Sequence, residues 1–293
     1  MWLVERCIGA VRNLRKGYTI PDSSACGETR IITLRNGFRC AYTSTGSGPP
    51  IILLHGWGQS RRTWARTMPL LSSRYSVYAL DLPGFGESET PRAILTLYDY
   101  ADCVSAFAEQ LAITPYAIVG HSFGGRVASL YAATHSLDAL VLCGVADPTR
   151  RSAAQWLHAW CIAHLGRLAP VCTYDIDRTW FTPIGYADTA PMTVQRARTM
   201  LAIYRATHTM QDVPLERITA RTLCVYGTRD RITPPSHAPR VWSRISRSER
   251  FLIRGGGHFV HITKHALFAK RVLDFLGSEI REPRTQPVHD VAE

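Results

Sequence analysis

Short apolar runs recur along the chain and set its rhythm. They are "RIITL" (30–34), "FRCAYTS" (38–44), "PIILLH" (50–55), "SVYAL" (76–80), "YAIVG" (116–120), "ALVLC" (139–143), "TLCVY" (222–226) and "RFLIR" (250–254). Most are apolar throughout rather than alternating, which predicts strands buried on both faces. Between the later runs lie stretches with apolar residues at helical spacing: 61–72, 97–112, 122–134, 236–246 and 266–276. Strands alternating with helices predict an α/β fold, a mainly parallel eight-stranded sheet with helices on both faces. The first two runs flank Asn36-Gly37, a tight-turn dipeptide, and predict an antiparallel hairpin at one edge.

One interval breaks this rhythm. From about Thr149 to Gln211 no strand-like run occurs, and 151–167 and 192–208 carry helical spacing. This predicts a helical insertion over the strand ends, 149–211, between core segments 30–148 and 212–278. Its Trp156, Trp160, Trp180 and Phe181 either line an apolar pocket or pack the insertion onto the core. Residues 279–293 are polar and predict a disordered tail. Residues 1–29 form an N-terminal extension. Leu3, Val4, Cys7, Ile8, Val11 and Leu14 recur there at helical spacing among basic residues. That pattern predicts an amphipathic helix over residues 1–18, packed on the domain or touching a membrane surface.

Composition narrows the function classes. The chain has 293 residues, 46% of them hydrophobic, enough for one large core. No run of 18 or more apolar residues appears, so no transmembrane helix is expected. The N-terminus lacks an uninterrupted apolar stretch with a small-residue cleavage site, so no secretory signal is expected. The eight cysteines are scattered and form no CxxC pair. This favours a reducing cytoplasm over a disulfide framework. The net charge is +11, and only Lys16, Lys264 and Lys270 among the basic residues are lysines. The arginines are spread along the chain without a nucleic-acid-reading motif, so no nucleic-acid role is expected. Attraction to an anionic substrate or an acidic carrier protein stays open, with Arg150, Arg151 and Arg167 as candidates. Monomer and homodimer are both open.

The chemistry concentrates where one strand becomes a helix. "IVGHSFGGRVA" (118–128) places Ser122 between Gly120 and Gly124. A sharp turn there pushes the hydroxyl out at the C-terminal edge of the sheet, and side chains at 120 and 124 would clash. The following helix aims its first amides at an oxyanion. A serine needs a base, and the base needs an orienting acid. Asp230 follows the strand "TLCVYG" by three residues, and His258 follows "RFLIR" after three glycines. Both would emerge at the edge that carries Ser122. His261 and Asp147 are the rival base and acid. "LLHGWG" ends another strand, and the backbone N–H groups of Trp57 and Phe123 would form an oxyanion hole. His55 would brace that loop. No histidine or carboxylate cluster has metal-site spacing, so no metal and no cofactor are expected.

Together HGWG, "DLPGFGES" (81–88), GHSFGG, GTRDRITP and GGGH occur in order, and over roughly residues 30–278 the chain resembles the α/β-hydrolase fold. The resemblance implies a Ser122–His258–Asp230 triad, no cofactor, and a lid formed by 149–211. HGWG with DLPGFG is similar to bacterial carboxylesterases of the pimeloyl-carrier-protein methyl ester type. The GGRVA continuation also resembles a hydrolase-fold lyase of menaquinone synthesis. Epoxide hydrolases and dehalogenases of this fold use an aspartate nucleophile, which the serine at 122 argues against. The expected activity is cleavage of a carboxylic ester or thioester through an acyl-enzyme. The alternatives are a carbon–carbon bond hydrolase or lyase with the same triad, and a slow-turnover ligand sensor.

Overall fold

The structure is a computed structural model. It describes residues 27–145, 193–209, 213–236 and 238–278, with some helical positions between 160 and 174. The expected N-terminal helix, Asp147, the C-terminal tail and most of the insertion lie outside the described residues.

All eight expected strands form, as β1 (Arg30–Thr33), β2 (Arg39–Thr45), β3 (Pro50–Leu54), β4 (Ser76–Leu80), β5 (Ala117–His121), β6 (Ala139–Cys143), β7 (Arg221–Gly227) and β8 (Ser248–Ile253). They make one sheet in the order β1-β2-β4-β3-β5-β6-β7-β8. β1 and β2 pair antiparallel through the Asn36-Gly37 turn, β2 pairs antiparallel with β4, and every later pairing is parallel. The chain enters the parallel part at β3, moves out to β4, and crosses back to β5 on the other side of β3. The direction of winding thus reverses between β3 and β5. In open parallel sheets a crevice opens at such a reversal, beyond the carboxyl ends of the strands. β3 ends at the HGWG loop and β5 ends at Ser122.

Because side chains alternate across a strand, the sheet feeds two buried layers. Ile52, Leu54, Ile118, Leu140 and Leu142 face one, with α2 (Leu97–Gln110) and α3 (Phe123–Thr134). Ile51, Leu53, Val119, Val141 and Val225 face the other, with α1 (Met68–Leu71) and α7 (His265–Gly277). Helix α2 opens on a reciprocal cap: Thr96 accepts from the Asp99 amide while the Asp99 side chain accepts from the Thr96 amide. Helix α4 (Val194–Thr209) belongs to the insertion. It is tied to the core by Arg196, which donates to the Gly84 carbonyl at 2.8 Å, and by Arg126, which donates to the Thr207 carbonyl at 2.6 Å.

Two expected helices are shorter than their periodicity implies. Residues 61–72 split into a tight turn, Arg61–Trp64, and α1. The Arg61 amide is drawn to Asp81, and Pro69, lacking an N–H, sits in the first turn of the second piece. Residues 236–246 reduce to α5 (Pro239–Trp242), which begins at a proline. A single turn, α6 (Val260–Thr263), follows His258. No helix among the described residues is long and apolar enough to cross a membrane. Cys40, Cys103, Cys143 and Cys224 are free and buried; the other four cysteines lie outside the described residues.

Candidate active site

Ser122 sits between β5 and α3 with φ 49° and ψ −112°, a backbone conformation that a non-glycine residue adopts at a cost of order 1–3 kcal/mol. The surroundings hold it there. Its N–H donates to the Cys143 carbonyl (2.8 Å), and its carbonyl accepts from the Arg126 amide (3.1 Å). The flanking glycines behave as the sequence implies. A Cβ on Gly120 would lie 2.5 Å from the Gly124 oxygen, and one on Gly124 would lie 2.5 Å from the Leu54 oxygen and press on the His55 oxygen. Helix α3 therefore packs directly on β3 and β5. The Phe123 amide is the first of α3, where N–H groups lack intrahelical acceptors.

His258 and Asp230 are brought together. His258 Nδ1 lies 2.8 Å from Asp230 Oδ2, and both side chains are buried. Further groups surround this pair. Asp230 Oδ1 accepts from the amides of Ile232 and Thr233, both at 2.8 Å, and Oδ2 accepts from the Thr233 hydroxyl at 2.6 Å. Burial works to raise the Asp230 carboxyl. The charge and hydrogen bond of His258, with the Thr233 contacts, outweigh burial and hold it below its ordinary value. The signal for Thr233 was legible as an acid followed three residues later by a hydroxyl in "DRIT", a spacing that lets a carboxylate accept from its own turn.

The serine and histidine loops meet through Cys143–Gly144. Cys143 accepts from the Ser122 amide, and a Cβ on Gly144 would lie 3.2 Å from His258 Nδ1. The Ser122 hydroxyl makes no hydrogen bond to His258 among the described residues. Contacts of this kind commonly tighten only when substrate binds. His261, the rival base, is fully buried in α6, and neither of its ring nitrogens has a hydrogen-bond partner. Asp147, the rival acid, lies outside the described residues.

The loop after β3 is built for rigidity. His55 accepts from the Leu82 amide at Nε2 (3.0 Å), and its Nδ1 faces the Gly56 carbonyl (2.8 Å), so Nδ1 carries the proton. Burial holds His55 below its ordinary pKa against the pull of Asp81. It braces the loop rather than exchanging protons. The Gly56 amide donates to Gln59 Oε1 (2.9 Å), which also meets His121 Nδ1 (3.0 Å), while His121 Nε2 meets the His258 carbonyl (3.0 Å). Gln59 and His121 thus link the HGWG loop to the histidine loop, another connection missed from sequence because it joins three distant segments. Beneath them Asp81, fully buried, takes the Arg61 guanidinium, the Arg61 amide and the Glu87 amide (2.9 Å). The "DLPGFGES" segment is the floor of this loop and holds no described member of the candidate triad.

Aromatic side chains close the crevice. Trp57 meets Phe85, Phe123, Tyr204 and His208 edge-on, at centroid distances of 5.0, 5.4, 5.1 and 5.3 Å. Tyr204 and His208 come from α4, so the insertion rests on the two residues expected to supply the oxyanion amides. A cleft of about 880 Å³ runs between the 86–92 segment and the start of α4, lined by Arg62, Glu87, Arg92 and Arg196, with none of Ser122, Asp230 or His258 on its wall. Among the described residues one group has metal-ligating side chains close together: His121, Cys143 and His261. They come from three separate elements, which is why sequence spacing did not suggest them.

Comparison with known proteins places the fold. The profile of the alpha/beta hydrolase family matches residues 51–271. A 97-residue stretch is 38% identical to the soluble epoxide hydrolase of Corynebacterium sp., covering 33% of this chain and 34% of that one. The 2-hydroxy-6-oxo-6-(2'-aminophenyl)hexa-2,4-dienoic acid hydrolase of Metapseudomonas resinovorans is 25% identical over 90% of this chain and 96% of its own. The pimeloyl-[acyl-carrier protein] methyl ester esterase of Neisseria meningitidis is 26% identical over 80% and 78%. Among solved structures, the esterase of Exiguobacterium antarcticum superposes with a TM-score of 0.71 at 20% identity, over 86% of this chain and all of that one.

Proposed function

The chain belongs to the alpha/beta hydrolase family, and from that premise we propose that it is a serine hydrolase cleaving a carboxylic ester or thioester through an acyl-enzyme. The observation that carries the proposal is the buried His258–Asp230 pair at 2.8 Å, reached from the same sheet edge as a serine held at positive φ. Ser122 Oγ attacks the acyl carbonyl while His258 Nε2 takes its proton. Asp230 holds the imidazole with Nδ1 protonated and stabilises the cation that forms. The amides of Trp57 and Phe123 bind the oxyanion, each such donor contributing on the order of a hundredfold in rate. His258 then returns the proton to the leaving group, and water cleaves the acyl-enzyme with His258 again as base. The insertion 149–211 acts as the lid, with Tyr204 and His208 as its contact with the crevice.

A second reading is hydrolysis of a carbon–carbon bond by the same residues. Its support is the relative of that class aligned over 96% of its own length. A panel of p-nitrophenyl esters of graded acyl length, assayed beside a 2-hydroxy-6-oxo-dienoate, separates the two. Higher kcat/KM on esters supports the first reading, and turnover confined to the dienoate supports the second. Either activity should vanish in Ser122→Ala; activity retained there refutes both.

A further inference from the structure

Directly behind the candidate site, three side chains from three elements bring their metal-binding atoms close to one another. His121 ends β5, Cys143 ends β6 and His261 lies in α6. One donor atom from each lies within 4.8 Å of the other two, and all three residues are buried. Cys143 has a hydrogen bond from the His261 main chain, but the two imidazoles are poorly served. Neither ring nitrogen of His261 has a partner. A buried polar group left unpaired carries its full desolvation cost, and such groups are uncommon in native interiors. His121 has the opposite problem, since both its nitrogens face oxygens, Gln59 Oε1 and the His258 carbonyl. A neutral imidazole has one N–H, so one of these contacts sets lone pair against lone pair. Turning the Gln59 amide would relieve His121 but would take the acceptor from the Gly56 amide.

We propose that His121, Cys143 and His261 form a binding site for one thiophilic divalent cation of the Zn²⁺ class. Two imidazoles and a thiolate suit Zn²⁺ and are poor ligands for Mg²⁺ or Ca²⁺. Binding breaks the Cys143 S–H bond, forms an S–metal bond and releases the proton to solvent, with no change of oxidation state. It also supplies a partner for a His261 nitrogen. Zn–N of about 2.0–2.1 Å and Zn–S of about 2.3 Å put donor atoms roughly 3.5 Å apart, so separations of up to 4.8 Å close by up to about 1.3 Å on binding. Recruiting His121 releases the Gln59 side chain or the His258 carbonyl. The cation therefore loosens a loop of the candidate site and acts as an inhibitor.

The probe is Cd²⁺, whose thiolate complexes absorb in the ultraviolet, followed by Zn²⁺ competition against a chromophoric chelator on the full chain. The expected result is a charge-transfer band that saturates at one equivalent. Cys143→Ser and Cys143→Ala should lack the band, and His261→Gln should weaken affinity by about 100-fold or more, with each fold checked by circular dichroism. No band at one equivalent in wild type overturns the proposal, as does a band that survives both Cys143 variants, which would assign the cation to another cysteine. The inhibition rests on the proposed hydrolase reading and is read separately, as Zn²⁺-dependent slowing of ester turnover that Cys143→Ser lacks. Absence of ester turnover leaves the absorption test intact, so the two failures are distinguishable.

Discussion

Replacing Asp230 with asparagine changes little in shape and a great deal in hydrogen-bond polarity. Oδ1 of Asp230 accepts two main-chain N–H groups, from Ile232 and Thr233, both at 2.8 Å. In Asp230→Asn the carbonyl oxygen must keep that position, because an amide NH₂ would point hydrogen at hydrogen. The NH₂ therefore falls at the place of Oδ2, facing His258 Nδ1 at 2.8 Å. Now Nδ1 must accept, so the imidazole proton moves to Nε2. An Nε2 that already carries a proton cannot take one from Ser122. A wrong-tautomer triad of this kind loses about 10⁴ in kcat, which at about 1.36 kcal/mol per tenfold is about 5.4 kcal/mol of transition-state stabilisation. The assay is steady-state hydrolysis of a p-nitrophenyl ester, with urea unfolding alongside to confirm the fold. Activity of folded Asp230→Asn within tenfold of wild type refutes the reasoning. A large loss in Asp147→Asn instead would move the orienting role to the rival acid.

Three further expectations concern the frame. Arg61→Ala leaves the buried Asp81 charge without its guanidinium and should cost about 3–5 kcal/mol in urea unfolding, with partial recovery when Asp81→Asn is added; a cost below 1 kcal/mol contradicts this. Gly124→Ala drives a methyl group into the Leu54 and His55 carbonyls and should lower stability by more than 2 kcal/mol, whereas Gly257→Ala, which meets no heavy atom within 4 Å, should stay within about 0.5 kcal/mol. In acid, burial works to raise Glu87, but the hydrogen bonds and charges of Arg61 and Arg62 hold it below its ordinary value. A carboxylate depressed on folding adds stability that is complete above its unfolded-state pKa of roughly 4.3 and is lost as pH falls through the lower folded value. Glu87→Gln should therefore narrow the stability difference between pH 7 and pH 3, and an unchanged difference removes Glu87 from the account.

Legibility from sequence followed the physics of each part. The sheet was readable because parallel strands buried on two faces print as continuous apolar runs, and Ile51–Leu54 and Ala139–Cys143 do so plainly. Ser122, Asp230 and His258 stood out as candidates because each follows a strand end at the same edge. Helix lengths were less readable, since the pull of Asp81 on the Arg61 amide and the prolines at 69 and 239 act against periodicity. Thr233 binds Asp230 within one turn and left its mark in "DRIT", whereas Gln59 and His121 were not named because their roles exist only once separate loops converge. The same holds for Tyr204 and His208, whose contact with Trp57 comes from α4, far from it in sequence. The buried trio of His121, Cys143 and His261 defeats any search by spacing, since its members are a strand end, another strand end and a helical turn.

The central claim is that the hydroxyl at position 122 is the nucleophile. A fluorophosphonate reacted with the folded chain, followed by intact-mass and peptide mass spectrometry, tests it most directly. The account predicts one adduct per chain, carried by the peptide containing Ser122, with turnover lost in step with labelling. An adduct on any other residue, or turnover that persists after Ser122 is fully labelled, contradicts it.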